Sequence, residues 1–142
     1  MTTLTVAVAE AILKENFPPW IRELNLRFEA VEKGRVVLRL PNNPKLVRVG
    51  GMVCGQALMA VADTAMVFAV TSLLPRFADM ATVNQSTSFF RAAVDLDLLC
   101  DCRVIHMGRS LAFGEAVFRT TERETEPVAQ ATMTYALLGG RS

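Results

Sequence analysis

Gly50-Gly51-Met52-Val53-Cys54-Gly55-Gln56-Ala57-Leu58-Met59-Ala60-Val61-Ala62-Asp63-Thr64-Ala65-Met66-Val67-Phe68-Ala69-Val70-Thr71-Ser72-Leu73-Leu74-Pro75 is the stretch on which the reading of the fold turns. Small and straight-chain apolar residues fill it, glycines precede it and no proline interrupts it before Pro75, so it reads as one helix starting near Met52 to Gly55. Apolar positions run all the way round rather than forming a stripe, which places the helix inside something. It carries a single carboxylate, Asp63, and burying an ionised carboxylate without a partner is costly. That residue therefore needs a reason to be there. A membrane span of about 20 apolar residues is the competing reading; Asp63 near the centre, Gln56, Thr64, Thr71 and Ser72, and the lack of a flanking basic cluster argue against it.

The flanks supply strands. Thr3 to Lys14 sets Leu4, Val8, Ile12 and Ala11 at helical spacing, and Asn16-Phe17-Pro18-Pro19 reads as its stop. Leu24, Leu26, Phe28 and Ala30 alternate with polar residues, Glu32-Lys33-Gly34 turns, and Val36 to Leu40 returns, a hairpin. Pro41-Asn42-Asn43-Pro44 ends it, and Lys45 to Gly51 leads into the central helix. After Pro75, Met80 to Phe90, Leu96 to His106, Leu111 to Thr121 and the segment around Ala129 to Leu137 are strands. The breaks between them are Arg91-Ala92-Ala93, Met107-Gly108-Arg109-Ser110 and Glu122 to Pro127. Ala112, Gly114 and Ala116 form a small-residue face suited to a closely approaching helix. Four consecutive strands predict an antiparallel meander curled around the long helix, whose remaining surface a second molecule would cover.

The 142 residues are expected to form a single domain, with residues 1–20 as a helical lead-in. A net charge of +1 with no basic run does not indicate a nucleic-acid surface. The 51% hydrophobic content is high for a small domain and hints at an extensive subunit interface. Three cysteines, an odd number, suggest reduced thiols in a cytoplasmic setting, and the first residues show no signal peptide. Cys100 and Cys102 lack further spaced ligands, so no metal site is expected. The sole histidine, His106, falls on the apolar side of its strand and reads as a core or interface residue.

Cys54-Gly55-Gln56, Val61-Ala62-Asp63-Thr64-Ala65, Ser88-Phe89-Phe90-Arg91-Ala92-Ala93 and Gly108-Arg109-Ser110-Leu111-Ala112, in this order and at this spacing, resemble the motifs of a known family. It is the hotdog-fold acyl-CoA thioesterases, in their phenylacetate-degradation (PaaI-type) branch, and the resemblance runs from about Leu24 to Leu138. It departs where the family carries His, a second Gly and an upstream Asn; here these are Cys54, Gln56 and Arg48. The resemblance implies an α+β hotdog fold, an antiparallel sheet wrapped around one long central helix. It further implies hydrolysis of an acyl-CoA thioester to free acid and CoA, with no metal and no cofactor beyond the substrate. Asp63 would be base or nucleophile, Thr82 would orient the water or the carboxylate, and the Gly55 amide would polarise the carbonyl.

The last role has an independent physical basis, because a helix start presents unpaired N–H groups and glycine does not block approach. Along one helix Asp63 lies roughly 12 Å from Gly55, at about 1.5 Å per residue, too far to flank one carbonyl. If both act in one site, two antiparallel copies are required, a homodimer with two composite sites; the resemblance adds that dimers commonly pair into tetramers. Cys54 is a rival nucleophile without a nearby base. Gln56 could bond the substrate or cap the helix, while Arg48, Arg91 and Arg109 are candidates for the phosphates of CoA. A non-catalytic CoA-ester-binding protein is the alternative, motivated by Cys54 and Arg48.

Overall fold

The computed structural model describes residues 4–139. Helix α1 spans Val6–Asn16 and a short α2 spans Pro19–Arg22, followed by strands β1 (Arg27–Glu32) and β2 (Arg35–Leu40). Helix α3 spans Gly55–Thr71, and the chain closes with β3 (Met80–Phe89), β4 (Leu98–Met107), β5 (Leu111–Thr120) and β6 (Pro127–Leu137). All six strands form one antiparallel sheet, against which α3 packs across β2, β4, β5, β6 and β3. This is the expected hotdog arrangement of sheet and helix. Among the described residues no helix is long and apolar enough to cross a membrane.

Five alanines let α3 approach the sheet closely, and twelve of its seventeen residues are buried. Gly114 on β5 marks the tightest approach: a Cβ there would stand 2.5 Å from the Met66 sulfur and 2.9 Å from the Arg103 carbonyl oxygen. Phe68, Met66, Phe118, Tyr135, Leu38 and Leu98 fill the space between the layers. Each such side chain contributes roughly 1.5–3 kcal/mol by leaving water. The buried hydroxyls of Thr64 and Thr71 donate back to Ala60 O and Val67 O, so the helix carries them without orphaned polar atoms.

The burial of α3 is not complete. Gly55, Gln56, Met59, Asp63 and Val67 are partly or fully exposed, an open stripe along one side of the helix.

Five further details differ from the sequence reading. The sheet order is β1-β2-β4-β5-β6-β3, so only β4-β5-β6 form a meander and β3 pairs with β6 at the far edge. The segment over residues 90–97 is too long for a hairpin; it passes the start of α3, where Val53 N donates to Ala93 O at 2.9 Å. A bulge between Val104 and His106 shifts the alternation of β4, leaving His106 exposed beside Phe113 rather than in the core. Helix α1 buries Ala9, Ile12 and Leu13, while Val8 and Ala11 face outward; Thr3 lies outside the described residues. Finally, Pro18-Pro19 both stops α1 and starts α2, since proline's fixed φ suits the first turn of a helix.

The close approach at Gly114 is open to test. Gly114→Ala is expected to lower stability by about 1–3 kcal/mol, because the Arg103 carbonyl cannot swing aside as a side chain can. Urea unfolding measures it; an unchanged midpoint would contradict the packing described.

Candidate functional site

Strand β3 lies along the open stripe of α3 and touches it at successive turns. Thr82 Oγ1 donates to Asp63 Oδ1 at 2.7 Å, Gln85 Nε2 donates to Met59 O at 3.2 Å, and the Phe89 ring would meet a Cβ on Gly55 at 3.1 Å. The helical positions 55, 59 and 63 are spaced four apart, which puts them on one broad face.

Asp63 is half-buried near the middle of that face. A second donor reaches the same oxygen: the Tyr135 hydroxyl lies within hydrogen-bonding distance of both Asp63 Oδ1 and the Asp63 backbone carbonyl. Thr82 and Tyr135 are directly opposed partners in the β3–β6 ladder, so their side chains share the face turned toward α3. A bulge between Thr82 and Asn84 follows immediately. The carboxylate is therefore gripped through Oδ1 by two hydroxyls from neighbouring strands. Among the described residues Oδ2 has no hydrogen-bond partner.

Tyr135 was missed in the sequence because an inward position on an alternating strand looks like core. Its hydroxyl is the signal that could have found it, since a buried phenol ordinarily has a polar partner.

The other end of the stripe is the helix start. Gly50 and Gly51, with φ of +105° and +86°, turn the chain tightly enough for Arg48 N to donate to Met52 O at 2.9 Å and for Val47 to bridge Val53. Cys54 follows as the N-cap with no side-chain cap bond, its own N–H donating to Leu46 O at 2.8 Å. The Gly55 and Gln56 amides make no hydrogen bond among the described residues, and Gln56 is exposed. These free N–H groups at the positive end of a seventeen-residue helix can receive a carbonyl oxygen on its way to becoming an anion.

The sequence-derived residues thus fall into two groups, Asp63 with Thr82 and Gly55 with Cys54 and Gln56. The arginines join neither. Arg48 folds back on the Val49 carbonyl of its own loop, and Arg91 pairs with Glu126 at 2.7 Å near the Gly55 end of the sheet. Arg109 is exposed in the β4–β5 turn at the opposite end, where Leu137 N bonds Ser110 O beside the Met80–Leu137 pair. Cys100 and Cys102 are buried on β4, and burial pushes both thiols well above the usual range, which suits inert core residues.

Comparison with known proteins agrees with this architecture. A candidate thioesterase of Silicibacter sp. TM1040 is 32% identical, with a TM-score of 0.85 over 96% of this chain and 94% of that one. The E. coli PaaI protein from the phenylacetic acid degradation operon is 17% identical, with a TM-score of 0.81 over 94% of this chain and 92% of that one. A hypothetical thioesterase of Streptococcus pneumoniae, solved with coenzyme A, is 24% identical, with a TM-score of 0.74 over 83% and 89% of the two chains. At the last two identities the likeness carries the fold alone. No match was found among curated proteins. The sequence model of the thioesterase superfamily matches residues 50–126, from the glycine turn before α3 through β5, and the chain belongs to that superfamily.

Proposed function

We propose that this protein hydrolyses acyl-CoA thioesters to the free acid and CoA, in composite sites formed between two copies of the chain. The observation that carries the reading is the asymmetric hold on Asp63. Thr82 and Tyr135 occupy Oδ1, and Oδ2, without a hydrogen-bond partner among the described residues, is the oxygen free to act. As a general base Oδ2 takes a proton from water, which attacks the thioester carbon; as a nucleophile it attacks that carbon itself. Either route puts negative charge on the carbonyl oxygen, and the unpaired Gly55 amide supplies the donor for it. The tetrahedral centre then expels the thiolate of CoA. By the base route the proton held on Oδ2 passes to it and the free acid is already formed. By the nucleophilic route the acyl group is left as an anhydride on Asp63, and a water that hydrolyses it releases the free acid and supplies the thiolate's proton.

Asp63 and Gly55 lie on one helix roughly 12 Å apart, so the donor for one Asp63 comes from a second α3 running the other way. Strand β3 supports such pairing. It is an edge strand, it carries no charged residue, and Val83 on it is 59% exposed beside the exposed Met59 and Phe89. Soluble proteins usually blunt a free edge of this kind with charge or cover it. An antiparallel β3–β3 contact about a two-fold axis would cover it and lay the two helices side by side.

The coenzyme A bound in the Streptococcus pneumoniae structure supports a CoA ester as substrate, and the four motifs that resemble PaaI-type proteins favour a member of that branch. Cys54 and Gln56 would border the thioester; Arg109 is an exposed cation that could meet a CoA phosphate, and Arg91 would have to give up its ion pair with Glu126 to do so. No partner beyond acyl-CoA and a second copy of the chain enters the proposed chemistry.

Thiol release from a panel of acyl-CoAs tests the proposal. Asp63→Asn is expected to lower kcat about 10²–10⁴-fold, the usual worth of a positioned acid–base group. Gly55→Pro deletes the N–H where proline is tolerated, because Cys54 already has the extended backbone that a following proline demands. It should cost about 10²–10³-fold, while Gly55→Ala, which keeps the N–H, should cost far less. Full turnover by folded Asp63→Asn would contradict the mechanism. Tight CoA-ester binding by wild type without turnover would favour the non-catalytic reading.

Burial, and then the hydrogen bond to Asp63, raise the Tyr135 phenol above its ordinary value of 10.0, which keeps it a donor across the working range. The neutral form is favoured in the fold, so this stabilisation is complete below pH 10 and is lost as pH rises beyond it. Tyr135 is the only tyrosine, so tyrosinate absorption reports it alone. It should ionise only above pH 10, together with loss of structure; ionisation at pH 10 with the fold intact would contradict the contact.

A further inference from the structure

A pocket of about 360 Å³ lies against the first turn of α3. Cys54, Gln56 and Ala57 of the helix start line it together with Leu46, Leu24 and Trp20. Gln56 belongs both to this pocket and to the open stripe, so the cavity adjoins the free Gly55 amide. Glu23 and Lys45 at the rim offset each other in charge, and neither is engaged in an ion pair among the described residues. Trp20 is 59% exposed although it is the only tryptophan and the largest apolar surface in α2. A large aromatic side chain left at the mouth of an apolar cavity commonly marks a contact surface for a ligand.

We propose that this pocket receives the acyl group of the thioester, with Trp20 as its specificity-determining wall. The inference rests on the function proposed above. A carbonyl oxygen bound at the Gly55 amide holds the acyl chain within reach of Gln56, and the cavity beginning there is walled by Leu24, Leu46, Ala57 and the indole. Its volume is more than twice the roughly 150 Å³ that accommodates benzene, which fits an apolar group of ring-plus-linker or medium-chain size and leaves acetyl poorly held. The opposed rim charges give no preference for an acyl group bearing a charge.

Because Trp20 is the sole tryptophan, its emission reports occupancy directly. Hydrolysis-resistant thioethers, S-hexyl-CoA and S-benzyl-CoA, are titrated against S-methyl-CoA and CoA, with calorimetry on the same samples to register binding. The larger thioethers should shift the emission saturably and bind more tightly than S-methyl-CoA. In the thiol-release assay, Trp20→Ala should lower the ratio of kcat/KM for hexanoyl-CoA to that for acetyl-CoA about tenfold or more. An emission blind to S-hexyl-CoA that calorimetry shows to be bound, no binding of any thioether, or an unaltered chain-length profile in Trp20→Ala would each overturn the assignment. Wild-type protein that cleaves no thioester would refute the hydrolase reading instead, and the thioether titration would still decide the pocket.

Discussion

The grip of two hydroxyls on one oxygen of Asp63 is the contact around which the molecule makes sense. A carboxylate in the middle of an otherwise apolar helix must be supplied with donors, and here they come from adjacent strands at the far edge of the sheet. Thr82 and Tyr135 can both reach it only because β3 pairs with β6 in a register that sets them opposite each other. The position of β3, the bulge after Thr82 and the open stripe of α3 all bear on that one side chain. With Oδ1 held twice, the carboxylate has little freedom to rotate, and Oδ2 is left without a partner among the described residues.

A second constraint is length. The helix that carries the acid also carries the amide donor, and a rigid helix cannot bring its own first turn to its own middle. For the proposed chemistry, the separation that keeps the two apart within one chain suits two helices placed antiparallel, where each start meets the other's centre. The same face presents an uncharged edge strand with Val83, Phe89 and Met59 exposed, surface that a second copy would remove from water.

The parts of this arrangement legible in the sequence are those set by local chemistry. Helix α3 was readable because alanine, methionine and leucine favour helix and because no breaker interrupts them; Asp63 stood out as the one charge within it. The small-residue face of β5 was readable because Gly114 leaves room that only a close neighbour would need, and the Met66 sulfur occupies that room. What was not legible depends on contacts distant in sequence. Alternation in β3 says nothing of which strand it pairs with, and the linker over residues 90–97 decided that. One extra residue between Val104 and His106 inverted the faces of β4 beyond it. Tyr135 matched its strand's inward pattern, so its hydroxyl passed as core until Asp63 was found beside it. The face of α1 was ambiguous between Val8 and Ala9, neighbours that only packing against β1 distinguishes.

Subunit complementation tests the central claim most directly. Asp63→Asn and Gly55→Pro proteins, each expected to be impaired about a hundredfold or more alone, are mixed, dissociated and reassociated, and thiol release is measured. If each site takes its acid from one copy and its amide from the other, half of the dimers are mixed and each holds one intact site. The mixture should then recover about a quarter of wild-type activity. A mixture that stays as inactive as its components, with mixed dimers present, would mean that acid and amide act within one chain or not together at all.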